Sequence, residues 1–215
     1  MSENLIQNTT IFVKNQLQNA EGGHDWFHIQ RVYNNSLLIA KSEICNTVIV
    51  QLGALLHDIA DSKFHNGNEN IGPETAKRFL ESENVEVEII DHVVQIIKNI
   101  SFKGGHKHSN FSSIELQIVQ DADRLDAIGA VGIARTFNYG GFINRTLYNP
   151  EIKPNLQMSK EEYKNSDAPT INHFYEKLLL LKDKMNTQTG KKLAQERHRF
   201  MEVFLEQFYN EWEGR

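Results

Sequence analysis

Residues 48–56 read Val-Ile-Val-Gln-Leu-Gly-Ala-Leu-Leu and run straight into His57–Asp58. The run lies in a helical pattern over about residues 47–58, so the chain has to enclose it in a core. An imidazole and a carboxylate side by side at the end of a core helix are costly to bury unless something uses them. A metal ion is the natural user, because it takes neutral imidazole nitrogen and carboxylate oxygen together. Two places can supply further ligands: His28 upstream, and the acidic cluster Asp121-Ala122-Asp123-Arg124-Leu125-Asp126 downstream.

Helical periodicity dominates the rest of the chain. It predicts a first helix over about residues 4–19, followed by a break at Gly22 and Gly23. Asp25 is placed to cap a second helix that carries His28, Val32 and Leu37 toward Ser42. Residues 62–72 are rich in Asn, Gly and His and predict a loop. Pro73 then sits at a first helical position and opens a helix to about Ser82. The next helix covers about residues 86–99, with Ile89, Val93, Ile96, Ile97 and Ile100 as its apolar stripe. Residues 101–110 predict a loop, and Ser112 or Ser113 can cap the helix that holds the acidic cluster. Gly129 and Gly132 mark a break or a bend. Residues 137–170, with Gly140, Gly141 and three prolines, predict a long surface excursion. Two helices close the chain, over about 171–185 and 189–212. Strand signals are few, and short β-branched runs such as 48–50 lie inside helical patterns. The expected fold is all-α: one domain over residues 1–215, a helical bundle around a central site. Its core spans about residues 20–130, with the late helices, about 170–213, packing on it.

The single cysteine, Cys45, excludes an intrachain disulfide and fits a reducing compartment. The start of the sequence lacks a basic-then-apolar leader pattern. No stretch is apolar for long enough to span a bilayer. A net charge of -5 argues against a general nucleic-acid or membrane-surface binder. The expectation is a cytoplasmic protein whose partner is a small molecule, not a nucleic-acid polymer and not a membrane. Oligomeric state is open; the 137–170 excursion suits a cover for the site or a contact in a homodimer.

Ligand chemistry narrows the site. Two imidazoles and two carboxylates leave positions for water and substrate, and the mixed nitrogen and oxygen set suits Mn2+, Fe2+, Co2+, Ni2+ or Zn2+. Mg2+ is less favoured, because it prefers oxygen. There are two His–Asp pairs. Asp25 of His24–Asp25 is explained by capping alone. His57–Asp58 has no such role, so it is the metal pair, with His28 as third ligand. His24, one turn before His28, is a candidate for substrate contact or for orienting a ligand. In the acidic cluster, Asp121 and Asp123 point roughly opposite ways on a helix, and the apolar pattern does not choose between them.

The order His28, then His57–Asp58, then Ala122-Asp123-Arg124-Leu125 resembles the H…HD…D signature of the HD-domain superfamily of metal-dependent phosphohydrolases. The contexts Ala54-Leu55-Leu56-His57-Asp58-Ile59 and Gln120-Asp121-Ala122-Asp123-Arg124-Leu125-Asp126 are similar to those of the small stand-alone bacterial members. So are residues 134–141 and the late helix over 182–204. The resemblance implies an HD-domain helical bundle around a buried metal. It makes Asp123 the fourth ligand and nucleotide phosphate esters or anhydrides the substrates. Some small members look like nucleoside triphosphate pyrophosphohydrolases. Members with two ions carry extra histidines before the last aspartate; His92, His106 and His108 occupy that interval here, and His106 and His108 lack a paired pattern, so one ion is expected and a second is left open.

The expected reaction is hydrolysis of a nucleoside or deoxynucleoside triphosphate to monophosphate and pyrophosphate, with Mn2+ favoured. A divalent ion acts as a Lewis acid and lowers the pKa of water. Asp58 is placed to hold the ion and orient the water, His24 is the second catalytic candidate, and Asp126 can fix a ligand's orientation. Phosphate needs cations, and there is no P-loop pattern. Arg31, three residues after His28, and Lys63, one short loop after the HD pair, are the first candidates; Lys182 and Arg197 follow. The competing readings are a monophosphate phosphatase, a cyclic-nucleotide phosphodiesterase and a non-enzymatic nucleotide-binding regulatory module.

Overall fold

The computed structural model describes residues 2–18, 25–59, 70–100, 111–159, 162 and 166–215. Among these residues there is no strand, and nine α-helices carry the fold. They are α1 (Ser2–Gln16), α2 (Trp26–Ala40), α3 (Thr47–Leu56), α4 (Ile71–Ser82), α5 (Val87–Asn99), α6 (Ile114–Asp126), α7 (Gly129–Phe142), α8 (Asn172–Glu176) and α9 (Gln188–Trp212). A 3-10 helix, Leu178–Lys184, lies between the last two. No helix among the described residues is long and apolar enough to cross a membrane. The contacts group the chain into two compact units, Met1–Asp123 and Arg124–Arg215.

The first unit is built around α3. That helix is apolar on nearly every side, and it packs against α1, α2 and α5. Leu52, Leu55 and Leu56 are almost wholly removed from solvent; each contributes about 2 kcal/mol on that account. At Gly53 a Cβ would lie 3.1 Å from Ile96 on α5, tighter than most contacts, so the glycine eases the approach of α3 to α5; Val119 on α6, at 3.5 Å, would be in ordinary contact. On the outer side Phe12 of α1 stacks on Phe79 of α4, with ring centroids 4.1 Å apart. Pro73 stands third in α4, within the turn whose N–H groups have no intrahelical partner, so its missing donor costs nothing.

The helix boundaries follow local chemistry. Asp25, Asn46, Ser113 and Thr187 each accept a backbone N–H at a helix start. Several expectations change. Pro73 stands third in α4 and not first, and the helix expected over about 171–185 is the short α8 followed by the 3-10 helix. α3 stops at Leu56, with His57 as its C-cap residue, so the His–Asp pair lies just past the helix and not within it. And α7 continues through Gly140 and Gly141 to Phe142, where a surface excursion was expected. Gly140 is there for closeness: a Cβ at this position would collide with the Thr170 side chain.

In the second unit α7 and the 3-10 helix pack on α9. An aromatic cluster joins α7, α8 and α9: Phe174 stacks on Phe204 at 5.8 Å, and Phe137 meets both. Beside it, His173 on α8 is not fully buried, yet enclosure of its ring, reinforced by Lys177 and Arg145, pushes its pKa from 6.5 down to about 3. Between those two values the unfolded chain binds a proton that the folded chain refuses. Stability therefore falls as pH is lowered through that window. Between pH 7 and pH 4.5 the wild type is expected to lose about 2 kcal/mol more than a His173→Gln variant, read from urea midpoints at each pH. Parallel curves for the two proteins would contradict this.

Candidate metal centre

Three local structures deliver the site. The Asp25 carboxylate accepts the backbone N–H of His28 at 2.9 Å, so the cap that starts α2 also fixes where His28 leaves the helix. At the start of α3, Asn46 Oδ1 accepts from Val48 and Ile49 at 3.1 and 3.4 Å. At its other end His57 folds back so that Nδ1 lies 2.8 Å from the Ala54 carbonyl oxygen. A carbonyl can only accept, so Nδ1 carries the proton and Nε2 of the neutral ring is left with a lone pair. That Nε2 faces His28 Nε2 at 3.3 Å, with the rings edge to face at 66°. Both histidines are buried, at 3 % and 6 % exposure.

Asp58 is half-buried beside them. Ligand atoms of His28, His57 and Asp58 all lie within 4.8 Å of one another. Asp123, on α6, approaches the same nitrogens: its Oδ1 is 3.6 Å from His28 Nε2 and 3.9 Å from His57 Nε2. These separations fit a shared cation. Two metal–ligand bonds of about 2.1 Å span at most about 4.2 Å, so the two imidazoles and Asp123 can bind one ion almost where they stand. The donor set, two neutral nitrogens with carboxylate oxygens, suits a divalent transition metal. Without a cation or a proton between them, two ring lone pairs at this distance repel.

The remaining sequence candidates are placed as follows. Asp121 is fully buried and Asp126 nearly so, while the Asp123 side chain is 36 % exposed. The helix thus separates the three acids. Asp126 accepts from Arg135 Nη1 at 2.6 Å, an ion pair within the second unit. Arg31 is half-buried on α2, one turn beyond His28. Lys182 is half-buried in the 3-10 helix. Arg197 donates to the Leu125 carbonyl oxygen, and its stem covers Gly129, where a Cβ would lie 3.0 Å from it and where the φ of +76° favours glycine. Burial pushes the Arg197 pKa down, with Asp126 opposing. His24, Lys63, His106 and His108 lie outside the described residues.

One charged residue with a part in this region gave no sequence signal as a ligand. Glu115, in the first turn of α6, is buried at 7 % exposure. Its Oε1 accepts the Asn46 backbone N–H at 2.9 Å, and its Oε2 lies 3.4 Å from His92 Nε2. His92 also lies 2.9 Å from Ser113 Oγ, the cap of α6. The Ser113-x-Glu115 spacing reads as an ordinary helix start, which hides the reach of the carboxylate to another helix.

Comparison with known proteins places the geometry among relatives. A family model described as HD domain matches residues 26–128. The uncharacterized protein YpgQ of Bacillus subtilis (strain 168) is 37% identical over 211 residues, covering 94% of this chain and 91% of that protein. A crystal structure of an HD-superfamily hydrolase from Bacillus thuringiensis superposes with a TM-score of 0.81 at 43% identity, over 100% of both chains. The structure of Bacillus subtilis YpgQ in complex with ADP superposes with a TM-score of 0.79 at 34% identity, covering 98% of this chain and 97% of that one.

Proposed function

Given that the chain belongs to the HD domain family of metal-dependent phosphohydrolases, we propose that it hydrolyses nucleoside or deoxynucleoside triphosphates to monophosphate and pyrophosphate. The observation that carries this reading is the clustering of His28, His57 and Asp58, with Asp123 Oδ1 3.6 Å from His28 Nε2 and 3.9 Å from His57 Nε2. These four residues would hold a divalent cation, with Mn2+ favoured. When bound, such an ion supplies Lewis acidity toward a phosphoryl oxygen and makes water more acidic.

The chain's own groups do the rest. His57 keeps its proton on Nδ1 through the Ala54 carbonyl, so Nε2 stays a lone-pair donor without a conformational search. Asp58, half-buried at the edge of the cluster, is the carboxylate assigned to orienting the attacking water and taking its proton. Phosphoryl transfer asks chiefly for positioning and charge neutralisation. Arg31, on the helix that carries His28, is the first candidate for neutralising a phosphate, with Lys63, Lys182 and Arg197 behind it. His24 remains the second candidate for proton transfer, and Asp126 for orientation. The ADP complex of YpgQ supports a substrate that contains a diphosphate.

A panel of ribo- and deoxynucleotides tests the reading directly. With Mn2+ and a triphosphate, pyrophosphate and monophosphate should appear in equal amounts, with no free phosphate. Phosphate released from monophosphates would replace this with a phosphatase, and opening of cyclic nucleotides with a phosphodiesterase. Tight nucleotide binding without turnover would point to a regulatory module.

A further inference from the structure

Resting on the metallohydrolase reading, we propose that Glu115 is a positioning residue: its buried carboxylate sets the register of α6 against α3, and thereby brings Asp123 to His57. Three positions of α6 come near α3 or its two caps. They are Glu115, Val119 and Asp123, spaced four residues apart, which places them on one face. Glu115 takes the Asn46 N–H at 2.9 Å, at the start of α3. Val119 lies 3.5 Å from where a Gly53 Cβ would stand, at the middle of α3. Asp123 Oδ1 lies 3.9 Å from His57 Nε2, at its end. The middle approach is apolar and offers no directional bond. The last is a long separation between ligands. Only the first is a directional, charge-assisted hydrogen bond.

The chemistry of Glu115 fits a pin. A buried carboxylate is costly unless its oxygens are satisfied. Here Oε1 is satisfied by α3, while Oε2 faces His92 of α5 at 3.4 Å. His92 is itself fixed, by Ser113 Oγ at 2.9 Å and by the edge-to-face ring of Phe111 at 5.4 Å. One side chain thus ties the start of α6 to two other helices, and the Asn46 cap it holds also begins the helix that ends at His57–Asp58. Shortening or removing it frees α6 to shift along α3, and a shift of 1 Å is large against donor separations of 3.3–3.9 Å.

Cobalt(II) is the probe. Its affinity and its visible d–d absorption report the ligand geometry without any turnover. Glu115→Ala is expected to weaken Co2+ binding at least tenfold and to move or flatten the absorption band, with the helical circular dichroism retained. Glu115→Asp, which keeps the charge but is one methylene short, should weaken binding and shift the band in the same direction. Glu115→Gln, which keeps an acceptor for Asn46, should restore most of the affinity. If Glu115→Ala does not fold, the Asp and Gln variants carry the comparison. Wild-type affinity and an unchanged band in the Ala or Asp variant would overturn the proposal, even where the melting temperature falls. A wild type that binds no divalent ion would instead remove the metallohydrolase reading, and this inference with it.

Discussion

Replacing His57 with alanine should cost the protein both its metal and its catalysis. The ring presents a lone pair because its other nitrogen is tied to the Ala54 carbonyl oxygen at 2.8 Å. It faces His28 Nε2 at 3.3 Å and Asp123 Oδ1 at 3.9 Å, so it stands at the centre of the cluster. No neighbouring side chain can take its place: alanine leaves one imidazole and carboxylates that differ in depth. An ion's stabilisation of developing phosphoryl charge is worth several kcal/mol. Losing about 4 kcal/mol corresponds to about a thousandfold in rate. We expect kcat/KM for the best nucleotide to fall by at least that factor, and metal content measured on the purified variant to fall well below one ion per chain. Folding should survive, because His57 is the C-cap residue and lies past the last residue of α3. Metal content and rates close to wild type would place the active centre elsewhere in the chain.

Much of this site was legible because its parts carry local signals. An apolar run ending in His–Asp, a histidine one turn into a capped helix and an acid-rich helix are each visible in the sequence. The structure brings together His28 and His57, 29 residues apart, and Asp123, 66 residues after His57. The caps at Asp25 and Ser113 were legible for the same reason, since an N-cap is a matter of a few adjacent residues. What depended on distant packing was not. Periodicity could not separate Asp121 from Asp123; in the structure Asp121 is enclosed and Asp123 Oδ1 lies 3.6 Å from His28 Nε2. Glu115 looked like any acid in a first turn, because its partner Asn46 lies 69 positions away. Gly140 and Gly141 resembled a loop, although one of them serves close contact with Thr170 inside a helix. Glycine has two uses, turning and closeness, and the sequence shows the residue without the use.

Gly132 is the position where that distinction has its largest consequence. It lies in the first turns of α7, just after the chain has reversed through Ile128 in an extended conformation and Gly129 at φ +76°. The reversal lays the Ala127 carbonyl over Gly132, so that a Cβ there would overlap backbone carbon and oxygen atoms. A flexible neighbour could step aside; a carbonyl fixed between α6 and α7 cannot without moving one of the helices. In an open helical position, glycine to alanine gains up to about 1 kcal/mol from propensity. Here overpacking reverses the sign, and Gly132→Ala is expected to destabilise by about 3 kcal/mol. For a chain of this size that is a fall in Tm of about 6–12 °C. Gly141→Ala is the internal control, since a Cβ in that position of the same helix meets nothing within 4 Å. It should leave Tm unchanged or raise it by a few degrees. The pair separates conformational freedom from closeness: equal effects would mean that propensity alone governs α7, whereas a drop confined to Gly132 follows from the tight turn that joins it to α6.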